Sequence, residues 1–585
     1  MQGRIVRNSS PRRHAKEKRD RLTLLDLPDE LLLQVIDHLD AAGMFTLTML
    51  CKRLHELALS AYFVRYGLTM PLDSTNALML KGKQLNALPG LQMASFTKDI
   101  KHLHCKFNYL EHDRNLAVIT HRICWLILKI ERLESLTFDF DGCDLGHLSA
   151  RWGLVVCARI AACSDLLTTA ARRCTSLELS HAGASSERHH QLEKEATKWL
   201  NRDRSLARNG PFNALRRYLL PGNSFSRSSH AQQTSSTLKT LVLHSNMFLL
   251  PPFSDWAFHT LNTAPLTKLE LIGVVLSQIA AALIFQCINI PTLEHLCITT
   301  CRFPLDEFLP RLNTVSTLRI VADTIFSLSP YLPKSALPRL LALHSNPNTV
   351  VHLLTPTGAF PQLAEVRILV YLSLDDQFIF HTVENKLSPV AHRLTGANVR
   401  ICLDVFPSSR TDNWVDLEDV DDLANFPVLR RVRTIAFGMP RPDIAATSAI
   451  PTWLSMFPLL EGLEFVNSPN DLSHEAKMSL LRHIVQECPG INSVKIDEET
   501  RSVADWLSSE SLGVLASVSN TQEPILPSFS RGSWRRPSLL NGDGRDQEAA
   551  ACRHSINNIT LVCDHEYRLR IPLHSCDSSC LALIN

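Results

Sequence analysis

Histidine-glutamate pairs are the residues in this sequence that come closest to a catalytic or metal-binding motif. They occur three times, as His55-Glu56, His474-Glu475 and His565-Glu566. A zinc peptidase needs H-E-x-x-H, in which two histidines on one helix face bind the metal and the glutamate is the general base. Each pair lacks the second histidine. The sequence therefore predicts no zinc-peptidase site.

Motifs that bind phosphate or present a nucleophile are also incomplete. Gly82-Lys83 lacks the upstream glycine and the hydroxyl residue of a P-loop. The pair Gly542 and Gly544 is followed by Gln547 where a dinucleotide-binding loop has its third glycine, and no G-x-S-x-G elbow occurs. We predict a protein that is not an enzyme and needs no cofactor. A hydrolase or transferase whose residues meet only in space is the lower-ranked alternative.

Cysteine usage indicates reduced thiols. The sixteen cysteines follow no disulfide framework, and the first residues lack the apolar segment of a secretory signal. Near the C-terminus His574, Cys576 and Cys580 suggest zinc, but a C-x-x-C pair and a nearby fourth ligand are missing. We favour free thiols there and predict no metal. A cytoplasmic and/or nuclear localisation is expected.

The composition is that of a globular protein with more than one unit. The chain has 585 residues, of which 45% are hydrophobic and 20% charged. A net charge of +2 gives no global electrostatic case for nucleic-acid binding. Residues 1–21 form a basic tail that we expect to be disordered. Its cluster of basic residues is a candidate nuclear-import patch or simply a solvated tail: Arg12, Arg13, Lys16, Lys18 and Arg19.

Residues 22–66 have the apolar spacing of a small helical unit. Pro28 stands just ahead of a helix-favouring run, and Asp29 and Glu30 suit the positive end of a helix dipole. The apolar residues that follow form two adjacent stripes, wider than one helix needs to pack on one core: Leu31, Leu32, Val35, Ile36 and Leu39. After a break at residues 40–43, a second helix is predicted with Leu47, Leu50, Leu54 and Leu57 on one face. The surplus apolar surface invites a partner.

This stretch resembles an F-box. The residues that carry the resemblance are Leu24, Leu27, Pro28, Glu30, Leu31, Leu32, Ile36, Leu39, Leu50, Cys51, Lys52, Arg53 and Leu54. The resemblance implies a three-helix motif that docks on the Skp adaptor and so joins a cullin ubiquitin ligase. The docking residues it implies are Leu27, Pro28, Leu31, Leu32, Ile36, Leu39, Leu47 and Leu50. The alternative is an ordinary helical hairpin buried within its own protein.

Beyond residue 96 the sequence contains a repeat. Residues 238–246 fit L-x-x-L-x-L-x-x-N, residues 293–301 fit it with cysteine in the last position, and residues 266–271 fit its first half. Weaker copies begin at Ile100, Leu133, Leu177, Leu318, Leu363, Leu460 and Ile491. Each L-x-L pair would point inward from a short strand, and helices are expected at residues 255–262, 276–287 and 474–488. One strand and one helix cannot bury their apolar faces alone, so the units must stack.

The predicted fold class is therefore α/β, a three-helix F-box joined to a solenoid that resembles leucine-rich repeats. We place the F-box at residues 22–66, a linker at 67–99 and the solenoid at 100–519, with insertions at 181–236 and 404–424. A disordered linker at 520–555 and a C-terminal hairpin or cap at 556–585 complete the chain. A mixed α/β domain with coincidental leucines is the alternative for the repeats.

An uncharged run at residues 271–291 has the length of a membrane span. Its first residues belong to a repeat strand, and Gly273 marks a turn, so we predict strand, turn and buried helix, and no membrane partner. The functional prediction is a substrate-recognition adaptor that binds the Skp adaptor through the F-box and an unknown target through the repeats. The alternative is a repeat scaffold without a ligase role, in which Leu27, Pro28, Ile36 and Leu39 would be buried against the repeats.

Overall fold

The computed structural model describes residues 24–68, 76–107, 116–141, 154–180, 236–250, 253–303, 305–321, 336–356, 360–372, 378, 380–396, 398–406, 426–438, 444–466, 474–496 and 499–508. All of them lie within one compact unit, residues 1–517. The predicted basic tail, nearly all of the insertion at 181–236, and the segments 520–555 and 556–585 lie outside the described residues.

Three helices open the described chain: α1 (Asp29–Asp37), α2 (Ala41–Leu47) and α3 (Lys52–Arg65). Pro28 immediately precedes α1, and the Asp40 carboxylate accepts a 2.7 Å hydrogen bond from the Gly43 amide, which caps α2. The predicted helical unit is confirmed, with no strand between residues 28 and 60. The prediction of a single second helix was wrong, because a turn at residues 48–51 separates α2 from α3. Leu50 therefore lies in a turn and not on a helix face.

Fifteen strands follow in one sheet, in which spatial order equals chain order. Every neighbouring pair is parallel except the last, which is antiparallel. The strands are β1 (Ala77–Lys81), β2 (His102–Lys106), β3 (Leu133–Asp139), β4 (Cys174–Ser180), β5 (Thr240–Leu243), β6 (Lys268–Ile272), β7 (His295–Thr299), β8 (Thr317–Val321), β9 (Ala342–Ser345), β10 (Glu365–Tyr371), β11 (Arg400–Phe406), β12 (Val432–Gly438), β13 (Gly462–Val466), β14 (Ser493–Ile496) and β15 (Glu499–Ser502).

Helices return the chain between strands, as parallel pairing requires. They are α4 (Leu88–Met93), α5 (Leu116–Lys129), α6 (Leu154–Arg173), α7 (Ser254–Thr263), α8 (Gln278–Gln286), α9 (Leu305–Phe308), α10 (Pro347–Leu354), α11 (Phe380–Leu387), α12 (Ala391–Leu394), α13 (Ile444–Ser455) and α14 (His474–Glu487). The three predicted return helices are confirmed as α7, α8 and α14. The result is an open, mostly parallel α/β sheet, consistent with a solenoid.

The repeated leucines lie side by side in the sheet. Leu241 pairs with Leu269, Leu269 with Leu296, and Leu296 with Leu318. In most strands alternate residues are buried against the helices, and the others point to the opposite face, which we call the open face. These segments are therefore parallel strands of one sheet, as the stacked units of the predicted solenoid require.

The sheet is larger than the repeats suggested. The stretch at 67–99, predicted as a linker, contains β1 and α4, and Asp404–Phe406, predicted to begin an insertion, complete β11. Residues 407–424 of that insertion lie outside the described residues. Strand β9 was missed because Ser345 stands where the repeat has a second leucine. Its buried hydroxyl donates a 3.0 Å hydrogen bond to the Ile320 carbonyl, which allows a serine there.

The uncharged run at residues 271–291 is strand, turn and helix, as predicted. Gly273 adopts φ +63° between β6 and α8, a conformation that favours glycine. No helix among the described residues is long and apolar enough to cross a membrane.

The N-terminal helices share one hydrophobic core with the sheet. The Tyr62 hydroxyl donates a 3.1 Å hydrogen bond to the Asn86 carbonyl, and the Phe63 and Phe96 rings meet edge to face at 5.8 Å. Buried α3 side chains thus contact the segment that was expected to be a linker.

Gly90 in α4 makes this close approach possible. A Cβ atom there would lie 2.8 Å from Cε1 of Tyr62. We expect Gly90→Ala to lower the free energy of unfolding by about 1–3 kcal/mol, because a buried ring cannot move aside freely. Urea titration checks the magnitude. Tyr62→Leu removes the clashing atoms, so a double variant that is additively destabilised would contradict this account of the junction.

Candidate functional site

The two apolar stripes of α1 face opposite environments. Leu32 and Ile36 are buried, each about 1% exposed, and form part of the helical core. Leu31 and Val35 are 44% and 41% exposed. The helical core is complete without Leu31 and Val35, so their exposed stripe is the kind of apolar surface expected at an interface.

A second group of exposed apolar side chains lies in the turn between α2 and α3. Met49 and Leu50 are 65% and 63% exposed. Leu24 and Leu25, ahead of α1, are exposed to a similar degree as Leu31. We call the combined set the docking surface: Leu24, Leu25, Pro28, Leu31, Val35, Met49 and Leu50.

Arg53 connects these two groups. From the first turn of α3 its guanidinium donates hydrogen bonds to the carbonyls of Leu25 at 2.5 Å and Leu27 at 2.8 Å. It also donates to the Asp29 carboxylate at 2.5 and 2.9 Å. A planar fork with several donors can hold these acceptors together. Arg53 therefore fixes the segment before α1 against the start of α3.

The structure divides the eight predicted docking residues into three groups. Pro28, Leu31 and Leu50 are exposed; Leu27, Leu39 and Leu47 are half-buried; Leu32 and Ile36 are interior. The interior pair can act only as support. Leu24, Leu25, Val35 and Met49 were missed as surface residues, although the helical spacing of Val35 from Leu31 signalled it. No sequence signal assigned Arg53 its positioning role.

Comparison with known families decides what this surface belongs to. Residues 24–66 match the family model of the F-box domain. The chain carries an F-box domain. F-box domains bind Skp adaptors, and proteins that contain them generally serve SCF-type ubiquitin ligases as non-enzymatic adaptors.

Other comparisons add little. No curated protein matches the chain. One solved structure, a crystal structure of a Bacteroides fragilis protein, is 14% identical over 41% of this chain and 67% of that chain, with a TM-score of 0.25.

The candidate catalytic residues do not assemble in the described part of the chain. Within it, no group of three or more His, Cys, Asp or Glu side chains could hold a metal ion. Burial raises the pKa of the Cys174 and Cys301 thiols to about 12, so both are protonated at neutral pH. His565 and the C-terminal cysteines lie outside the described residues.

The open face of the sheet carries an ionic network near its C-terminal end. The Nη1 atom of Arg367 on β10 lies 2.9 Å from Oε2 of Glu464 on β13. The same nitrogen lies 3.5 Å from Oδ1 of Asp404 on β11. Ala436 on β12, between these strands, is small enough to leave this path free. Lys495 on β14 extends the network, 2.6 Å from Glu464.

Asp404 lies beneath this network and is 6% exposed. Burial raises the pKa of its carboxyl to about 6, although Arg367 opposes the shift. Above pH 6 the folded protein therefore holds an unfavourable buried charge. As the pH falls through 6, the folded state binds a proton that the unfolded chain binds only near pH 4, so this residue raises stability on acidification.

We expect Asp404→Asn to remove that pH dependence. The variant should be more stable than the parent at pH 7.5, and the difference should shrink towards pH 5. Chemical denaturation at both pH values measures it, with Glu461→Gln on an exposed ion pair as the control. A variant that is less stable than the parent at pH 7.5 would show that the attraction of Arg367 outweighs burial.

Arg53 gives a test of the docking surface itself. Arg53→Ala should speed amide hydrogen exchange at Leu27, Leu31 and Leu32, whose amides bond the Leu24 and Pro28 carbonyls, by roughly tenfold. The reason is that the loss of hydrogen bonds to a charged donor is worth about 1.5 kcal/mol. Global stability should fall by no more than about the same 1.5 kcal/mol, since the side chain is exposed. Arg53→Lys should restore slow amide exchange only in part, since one ammonium group cannot make all the hydrogen bonds of the planar guanidinium. Unchanged exchange in Arg53→Ala would refute the positioning role.

Proposed function

We propose that this protein is a substrate-recognition adaptor of a Skp-cullin-F-box ubiquitin ligase. Its docking surface would bind the Skp adaptor, and its repeat sheet would hold a target protein for ubiquitin transfer by other subunits. The observation that supports this most directly is the exposed stripe of Leu31 and Val35 on an F-box domain. In this proposal Leu27 and Pro28 form the edge of the surface, and Leu32, Ile36, Leu39 and Leu47 support it.

The competing proposal is a repeat scaffold without a ligase role. The packing of α3 on residues 86–96 favours it, because these helices serve partly to cover the end of the sheet. That contact uses α3, however, and leaves the outer stripe of α1 in water. Because this apolar stripe is not buried within the described part of the protein, it supports the proposal of a Skp-binding adaptor.

We also propose that the protein works in the cytosol and/or the nucleus. The cysteines of the described residues are free thiols, several of them buried in the core. Such a core is compatible with a reducing compartment.

The Skp-binding proposal is tested by Leu31→Ala combined with Leu50→Ala. Full burial of one leucine contributes about 1.5–3 kcal/mol, and these two are already half covered. We expect ten- to one-hundredfold weaker binding to the Skp adaptor, at about 1.4 kcal/mol per tenfold. Titration of the purified variant with the adaptor measures the affinity, and thermal unfolding confirms the fold.

Leu459→Ala is the matched control, because this leucine is 47% exposed and far from the F-box in the chain. It should bind the Skp adaptor like the parent. If the double variant stays folded and also binds like the parent, the scaffold proposal replaces the adaptor.

A further inference from the structure

The open face contains an arginine whose charge is not offset within the described residues. Five basic side chains along this face are paired with carboxylates within 4.0 Å: Lys106, Lys268, Arg367, Arg400 and Lys495. Arg319 on β8 is exposed, and among the described side chains no carboxylate lies within that distance. Its hydrogen bond is to the neutral Tyr371 hydroxyl.

An aromatic wall adjoins this arginine. The rings of Tyr371 on β10 and Phe406 on β11 stack with centroids 4.9 Å apart and planes 14° apart. Tyr371 is 45% exposed, although it lies on a strand in the middle of the sheet. Exposed tyrosine and arginine side chains together are typical of residues that dominate binding energy at protein interfaces.

The acidic side chains nearby do not cancel the charge of Arg319. Asp404 is covered by Arg367, and Glu365 lies 3.5 Å from His344 and 3.7 Å from Arg367. Among the described side chains, the charge that remains accessible at this place is therefore positive. An anionic side chain gains most from such a site because a guanidinium can bind a carboxylate through two parallel, charge-assisted hydrogen bonds.

We propose that Arg319, Tyr371 and Phe406 form a recognition site for a target segment that carries a carboxylate next to an aromatic or large apolar side chain. The carboxylate pairs with Arg319, and the apolar side chain packs on the exposed face of Tyr371. This inference rests on the proposed function only in assigning the ligand to a target protein. The site itself does not depend on binding to the Skp adaptor.

The test selects ligands for this site from random peptides. A twelve-residue peptide library, displayed on phage, is panned against the full-length protein. We expect enrichment of Asp or Glu within four positions of an aromatic or large apolar residue. The best peptide is then synthesised with a fluorophore and titrated by fluorescence polarisation.

Three protein variants separate the contributions. Arg319→Ala should weaken binding at least tenfold, and Tyr371→Ala should have a similar effect. Tyr371→Phe, which keeps the wall but removes the hydroxyl that orients Arg319, should weaken it less. Arg311→Ala is the control, an exposed arginine in the helical return of the same repeat that bonds the Gln286 carbonyl, and it should bind like the parent.

A peptide variant with Asp or Glu replaced by Asn or Gln should lose affinity for the parent but not for Arg319→Ala. A library without acidic enrichment, or peptides that bind Arg319→Ala as tightly as the parent, would overturn the proposal. Titration with the Skp adaptor in parallel distinguishes the two failures. If the Skp adaptor does not bind but peptide binding still depends on Arg319, the recognition site is supported and the ligase role is refuted.

Discussion

A ladder of aliphatic side chains across the sheet is the constraint on which the rest of the structure depends. From β1 to β11 one buried aliphatic residue on each strand pairs in register with the next, and all are at most 4% exposed: Leu78, Leu103, Leu136, Leu177, Leu241, Leu269, Leu296, Leu318, Leu343, Val366 and Ile401. A slip of one residue on any strand would turn its apolar side chains to the open face. The ladder therefore also determines which side chains are presented to a partner.

The two ends of the sheet are closed differently. At the N-terminal end, Tyr62 and Phe63 of α3 pack against α4, so the F-box domain also covers this end of the core. At the C-terminal end the antiparallel β15 completes the sheet, and Trp506 donates a hydrogen bond to the Val494 carbonyl. Solenoids need such caps because a terminal repeat has no neighbour to bury its core.

Sharing a core has a functional consequence. The F-box helices are held to the sheet by buried rings rather than by a flexible linker. A target bound on the open face would therefore keep a defined position relative to a partner bound on α1, and binding energy would not be lost in ordering a hinge.

The sequence by itself determined the periodicities. Helical spacing in residues 29–39 and the L-x-L pattern correctly predicted α1 and most of the strands, because burial on one side imposes a period of 3.6 on a helix and 2 on a strand. It could not decide which of two apolar stripes on α1 faces water, because Leu31 and Leu32 are chemically identical and differ only in what packs against them. Nor could it find β9, where Ser345 is buried through a hydrogen bond to a neighbouring strand, or the role of Arg53, whose acceptors lie more than twenty residues away. The unpaired charge of Arg319 is likewise a tertiary property, since pairing on the open face joins side chains from different repeats.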